Sequence, residues 1–295
     1  MRPLLLLLIA AAVALACRPA EPAAHDGPAP PDGAAPAAVA RTFSRRLPPP
    51  MVAPPVRRDT LPRGFVYLRD VDPTILQEMR YATAYNFVGE RIDGYEAAEC
   101  VLAETAARAL ARVQADLHPQ GLSLKVYDCY RPQRAVDHFV RWIRLVDRPG
   151  YEGDDERMRD AFFPTVAKRR LFREGYIARR SGHSRGATMD LTVVRLPAVP
   201  RTIFPDPADG PLQRCDAPAG RRLDEWALDM GTAYDCLSPL ASTDSPSVSA
   251  EARANRRLLR DAMGRRGFRN YAQEWWHYTL RDEPYPDRYF DFPIR

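Results

Sequence analysis

The sequence predicts an α+β domain over residues 64–295, preceded by a leader and a proline-rich linker. Three observations carry this reading. Amphipathic helical stretches are interspersed with short apolar runs that read as antiparallel strands, without the regular strand–helix repeat of a doubly wound sheet. No glycine-rich phosphate loop precedes a helix, so a nucleotide-binding fold is not indicated. Residues 18–63 hold 12 of the 29 prolines and almost no large apolar residue before Phe43, so they cannot bury enough surface to offset their ordering entropy.

The elements follow in chain order. Arg2 precedes the apolar run Leu4–Ala16, which has the length of a signal-peptide core and is short for a membrane span. It ends at Ala14-Leu15-Ala16-Cys17, which resembles a bacterial lipoprotein cleavage site, although Ala14 stands where that pattern usually has Leu. Residues 1–16 are therefore expected to be a signal peptide and Cys17 the lipidation site. The mature protein is expected to be exported to the periplasm and anchored to a membrane through that lipid. Residues 17–63 would then be an extended Pro/Ala-rich linker that holds the domain off the surface.

Within the domain, Phe65-Val-Tyr-Leu reads as a short strand. Asp72-Pro73 reads as a helix start, with Asp as N-cap and Pro at the first helical position. Tyr81–Tyr95, rich in Asn, Gly and aromatics, is expected to be a long ordered loop. Ala97–Leu117 carries Val101, Leu102, Ala106, Leu110, Val113 and Leu117 at helical spacing. Leu122–Asp128 alternates like a strand, Pro132 opens another helix, and Thr188–Leu196 is a second strand. Residues 195–224, rich in Pro, Asp and Gly, read as a surface insertion that could form a lid or rim. Ser249–Arg266 is a helix and Trp275–Leu280 a strand.

Charge narrows the partners. The formal net charge is +5, of which Arg2 supplies +1 and residues 18–63 supply +3, leaving +1 for residues 64–295. A nearly neutral domain argues against nucleic acid, which calls for a basic stripe. Arg169, Arg170, Arg179 and Arg180 read as a solvated face. Apart from Cys17 there are four cysteines, an even number that suits two disulfides in an oxidising compartment. Three pairings are possible; Cys100–Cys129 and Cys215–Cys236 are the expected ones, since they would tie helix to strand and staple the insertion.

The chemistry sits in two stretches. Ser181-Gly-His-Ser-Arg-Gly-Ala-Thr-Met-Asp190 and Glu274-Trp-Trp-His277 together offer two imidazoles and a carboxylate, a set that suits a catalytic zinc with one open position. Asp190 interrupts a strand-like apolar run, where a carboxylate needs a partner or a metal. Glu274 is the right type to take a proton from a metal-activated water. On a regular strand, residues three apart face opposite sides, so Glu274 meets the site of His277 only if it precedes the strand or the chain bends. Spacing alone leaves a zinc site and an ordinary solvated histidine loop both open. Arg131, in Tyr127-Asp-Cys-Tyr-Arg-Pro132, would stand at a strand end, placed either to stabilise an oxyanion or simply at a surface turn.

The ordered set Tyr-Arg-Pro, Ser-x-His-Ser-Arg-Gly-x-x-x-Asp, Met-Gly-Thr-x-Tyr-Asp and Glu-Trp-Trp-His-Tyr resembles the D-alanyl-D-alanine dipeptidases, the VanX-type branch of the zinc D,D-peptidases. Arg80–Tyr95 and the tail Leu280–Pro293 resemble the same family, so the likeness runs from about Phe65 to Arg295. The resemblance implies one zinc per chain held by His183, Asp190 and His277, Glu274 as general base and Arg131 as oxyanion stabiliser. It further implies that Asp235 pairs with the substrate's ammonium, while Tyr81, Tyr95 and Ser181 line the pocket of a small D-amino-acid dipeptide. The implied fold is the compact α+β domain shared with D,D-carboxypeptidases and the Hedgehog signalling domain. Two rival functions remain: a D,D-carboxypeptidase acting on peptidoglycan stem peptides, and a non-catalytic zinc-binding module. Export points to cell-wall peptide turnover or nutrient use.

Overall fold

The computed structural model describes residues 61–147, 156–198, 202–206 and 210–295. The expected signal peptide, Cys17 and the linker up to residue 60 lie outside the described residues.

Strand β1 (Phe65–Tyr67) pairs antiparallel with β3 (Val101–Ala103) in a two-stranded ribbon. The main sheet runs β2 (Leu76–Gln77), β4 (Leu122–Asp128), β5 (Thr188–Arg195), β7 (His277–Leu280), β6 (Phe268–Asn270). Only the β2–β4 pair is parallel; the others are antiparallel. The mixed, mostly antiparallel sheet with interspersed helices is the α+β class read from the sequence.

Alternation along the central strands divides the molecule. Leu122, Leu124 and Val126 of β4 join Met189, Leu191 and Val193 of β5 in one apolar cluster. Helices α2 (Glu104–Leu117) and α5 (Ala250–Arg265) cover it with Leu110, Val113, Leu259 and Met263. Each such buried side chain favours folding by about 1.5–3 kcal/mol. Ser249 caps α5 by accepting the Ala252 amide at 3.0 Å. A second, aromatic cluster gathers Tyr81, Phe87, Phe139 of α3 (Gln133–Arg144), Phe162 of α4 (Glu156–Phe162) and Phe290 of the C-terminal tail. Loop 81–95 and the tail meet in a bridge between Tyr95 and Ile294. The residues alternating to the other side of the central strands, Lys125, Asp190 and Thr192, are polar and buried.

Several boundaries differ from expectation. Asp72 does not start a helix; it closes the single turn α1 (Leu68–Val71) and accepts the Thr74 amide and hydroxyl in an Asx turn. The expected helix from Ala97 begins only at Glu104, because Val101–Ala103 finds a strand partner in β1. Helical spacing cannot register a partner that lies over thirty residues away in sequence. The expected strand from Trp275 begins at His277, after a turn closed by the His277 amide on the Glu274 carbonyl at 3.2 Å. The stretch expected to be a surface insertion is partly inside. Leu212 and Cys215 are buried, and the Phe204 ring stacks on Tyr85 at 5.0 Å. The structure pairs Cys100 with Cys129 and Cys215 with Cys236.

Candidate active site

The sheet register builds the site. Asp128 stands opposite Asp190, and Asp190 opposite His277, in one row across β4, β5 and β7. An irregularity in β4 between Val126 and Asp128 brings Asp128 into that row. His183 arrives from outside the sheet, on the 3-10 turn Gly182–Arg185. The Ser181 hydroxyl caps this turn by accepting the His183 amide at 3.3 Å. Gly186 ends it at φ +84, where a Cβ would lie 2.3 Å from the Phe65 ring. Glycine is required there on both counts.

Ligand atoms of His183, Asp190 and His277 converge within 4.8 Å of one another. His183 Nε2 is 3.3 Å from both Asp190 Oδ1 and His277 Nδ1, and His277 Nδ1 is 3.2 Å from Asp190 Oδ1. Bonds of about 2.0–2.1 Å to a tetrahedral ion set its ligands about 3.3 Å apart, so the triangle fits zinc. Protonation agrees. His183 Nδ1 donates to the Cys129 carbonyl at 2.7 Å, leaving Nε2 with a lone pair in the neutral ring. Asp190 Oδ1 is buried without a hydrogen-bond partner, while Oδ2 accepts from Tyr234 at 3.0 Å. An orphaned carboxylate oxygen between two imidazoles is what a cation site leaves when only the protein is counted. Burial alone would raise the Asp190 carboxyl; His183 and His277 hold it well below the usual carboxylate range. Burial lowers the His277 imidazole, keeping it neutral for ligation, against the opposing pull of Asp190.

Glu274 meets the geometric condition set by the sequence. It precedes β7, and the Trp275–Trp276 turn folds it back until Oε2 lies 3.4 Å from His277 Nδ1. Asn270 pins this turn by donating to the carbonyls of Glu274 and His277, both at 3.0 Å. Burial, and then the charges of Asp190 and Asp235, push the Glu274 carboxyl far up, with Arg131 opposing. Arg131 is held by Asp128, whose Oδ2 accepts from Nε at 2.9 Å and lies 2.8 Å from Nη2. Its guanidinium lies over the rings of Tyr81 and Phe139.

Arg131, Asp190, Glu274 and His277 line a cavity of about 290 Å³, at the small end of ligand sites. Asp235 lies in its wall, buried, and accepts from the Tyr81 hydroxyl at 2.8 Å. Burial first, and then Asp190, push its carboxyl up to about 7. Its backbone sits at φ 57, next to Cys236 of the second disulfide. Tyr81 and Ser181 also line the cavity. Tyr95 does not: it is buried and donates to Asp128 Oδ1 at 2.6 Å, so it steadies the carboxylate that holds Arg131. No described residue of 195–224 lines the cavity, so the expected lid or rim is absent among them.

Sequence reading missed Asp128, Tyr234 and Arg180. Asp128 ends a buried strand, where a carboxylate needs a partner just as Asp190 does within its own strand. Tyr234 belongs to the Met-Gly-Thr-x-Tyr-Asp motif, but nothing local marks its hydroxyl as the donor to Asp190. Arg180, read as solvated face, lies in the cavity wall.

Comparison with known proteins agrees with this geometry. The model of the M15 peptidases described as D-ala-D-ala dipeptidase matches residues 62–199 and 217–295. A D-alanyl-D-alanine dipeptidase of Streptomyces coelicolor is 38% identical over 230 residues, covering 78% of this chain and 98% of its own. That of Enterococcus faecium is 32% identical over 232 residues, 79% of this chain and 98% of its own. That of Escherichia coli is 30% identical over 217 residues, 73% and 83%. With its convergent His/Asp site, this chain belongs to the D-Ala-D-Ala dipeptidase family of M15 metallopeptidases.

Proposed function

We propose that this protein hydrolyses the dipeptide D-Ala-D-Ala to two D-alanines, with zinc as its metal. The observation that carries the reading is the triangle of His183, Asp190 and His277 with Glu274 against one edge and Arg131 close by. A structural metal site calls for neither a buried base nor a fixed guanidinium, which weighs against a non-catalytic binding module. Zinc in such a site supplies a Lewis acid and a water that ionises near pH 7.

The protein residues then have separate tasks. Asp235 receives the substrate ammonium and so fixes the register of the peptide bond. Glu274 takes a proton from the attacking water and passes it to the leaving amine, a role typically contributing about 10²–10⁴-fold. Its raised carboxyl suits the first of these steps, because burial makes the carboxylate a stronger base toward the proton of the water. Arg131, oriented by Asp128, stabilises the oxyanion that develops on the scissile carbonyl, a contribution of about 3–4 kcal/mol in comparable sites. His183 keeps its ring orientation through the Cys129 carbonyl.

We further propose that the protein is exported, that Cys17 carries the lipid anchor and that the work is cell-wall peptide turnover or nutrient use. The two disulfides support an oxidising compartment. The enzymatic reading is tested by assaying D-alanine released from D-Ala-D-Ala and from a stem peptide ending in D-Ala-D-Ala. Turnover of the dipeptide alone, lost in Glu274→Ala, is the expected result. Cleavage of the stem peptide alone would make the protein a D,D-carboxypeptidase.

A further inference from the structure

A dipeptide has two charged ends, and the site described so far receives only one. Asp235 takes the ammonium from deep in the cavity wall, where it is buried and bonded to Tyr81. The free carboxylate needs a cation of its own, since an unpaired charge in a small cavity is costly. Arg131 is occupied: Asp128 grips its guanidinium, Asp190 lies 3.6 Å away, and the scissile carbonyl is its proposed target.

The remaining guanidinium in the cavity lining is Arg180. It is exposed, two residues before the 3-10 turn's Gly182 reaches His183, and adjacent to Ser181, which also lines the cavity. It pairs with no carboxylate among the described residues. Its Cζ rests over the Tyr289 ring at 5.1 Å, a platform that orients a guanidinium without neutralising it. Arg185 shares that ring at 5.7 Å, and the Glu283 carboxylate is taken by Arg185 through bonds of 2.6 and 2.9 Å. Arg180 is thus left unneutralised at the exposed end of a cavity whose buried end holds an acid.

We infer that Arg180 is a specificity-determining residue that receives the free carboxylate of the dipeptide at the mouth of the cavity. The inference rests on the dipeptidase reading. With the ammonium on Asp235 and the scissile carbonyl beside Arg131, the second residue and its carboxylate extend toward the exposed end, where Arg180 stands. Guanidinium and carboxylate meet in two parallel hydrogen bonds, a geometry that an amide or a continuing peptide chain does not reproduce. Arg180 and Asp235 would together measure a zwitterion of one length.

The test is binding rather than turnover. Calorimetry on the zinc-loaded protein in a Glu274→Gln background would compare D-Ala-D-Ala with its C-terminal amide. Arg180→Ala is expected to weaken the dipeptide by about 10–100-fold, the scale of a lost charge-assisted pair, and to leave the amide unchanged. Arg180→Lys should recover part of the loss. Equal weakening of both ligands, or of neither, would overturn the role of Arg180 while leaving the dipeptidase reading intact. If the Arg180-containing protein fails to bind the dipeptide at all, the dipeptidase reading itself falls, and this inference with it.

Discussion

Two buried charge clusters lie on one side of the same sheet, and they are built on opposite plans. In the first, Arg80 and Lys125 face Glu78 and Glu225. Arg80 Nε donates to Glu78 at 2.8 Å and Nη2 to Glu225 at 2.5 Å, while Lys125 Nζ lies 3.1 Å from Glu78. Two cations meet two anions, and the rings of Tyr85, Tyr127, Phe204 and Tyr234 wrap the guanidinium. In the second, one guanidinium, Arg131, faces Asp128, Asp190, Asp235 and Glu274. Thr192, opposite Lys125, is two residues from Asp190, opposite Asp128, so the clusters are neighbours along β5. Tyr234 joins them, its amide on Glu225 and its hydroxyl on Asp190. The balanced cluster matches its charges within the protein. The unbalanced one has more acids than cations, which is where the proposed metal ion and substrate ammonium would add positive charge.

The contrast is sharpest if metal and base are removed from the second cluster. Chelation should abolish turnover and added zinc restore it. Glu274→Gln should lower kcat by about 10²–10⁴-fold while metal content, read by atomic absorption, stays at one ion per chain. If the balanced cluster is structural, breaking it should act on folding instead. Arg80→Met leaves two buried carboxylates with Lys125 alone and should cost about 3–5 kcal/mol. Denaturant titration would read this, and an unchanged midpoint would refute the structural role.

Asp235 sets the two plans against each other within one residue. Its carboxyl, raised to about 7 from 3.8, keeps a proton in the folded chain that the unfolded chain has already released. Stability of the metal-free protein should therefore fall as pH rises from about 4 to about 7, and level off above. Asp235→Asn removes this cost and should stabilise the metal-free protein at pH 8 by about 2–4 kcal/mol, with dipeptide binding lost. A destabilised variant that still binds dipeptide would contradict both roles. The smallest effect belongs to the link. Tyr234→Phe removes the donor to Asp190 Oδ2 and should weaken zinc about tenfold, seen in competition with a chromophoric chelator.

Much of the second cluster was legible because its residues break local patterns. Asp190 is a charge in an apolar strand, and Glu274-Trp-Trp-His277 sets a base and an imidazole beside two core tryptophans. The first cluster was not legible. Lys125 and Glu225 reach Glu78 and Arg80 from distant parts of the chain, and each alone reads as an ordinary surface charge. Tyr95 was misplaced for a related reason. A tyrosine in an aromatic loop has the same local appearance whether its hydroxyl faces a cavity or a buried carboxylate.

The sequence by itself determined the α+β class, the central strands β4 and β5, the α3 and α5 helices, the metal-type residues and the family. These depend on periodicity and on residue chemistry within short windows. Only the tertiary structure decided that Asp128, Asp190 and His277 stand in one row, that the Trp275–Trp276 turn swings Glu274 to the face of His277, and that Phe204 packs on Arg80 rather than lining the cavity. Register, a β-strand irregularity and long-range charge pairing are properties of contacts between distant segments. No local window contains both partners, so their geometry becomes fixed only when the chain closes on itself.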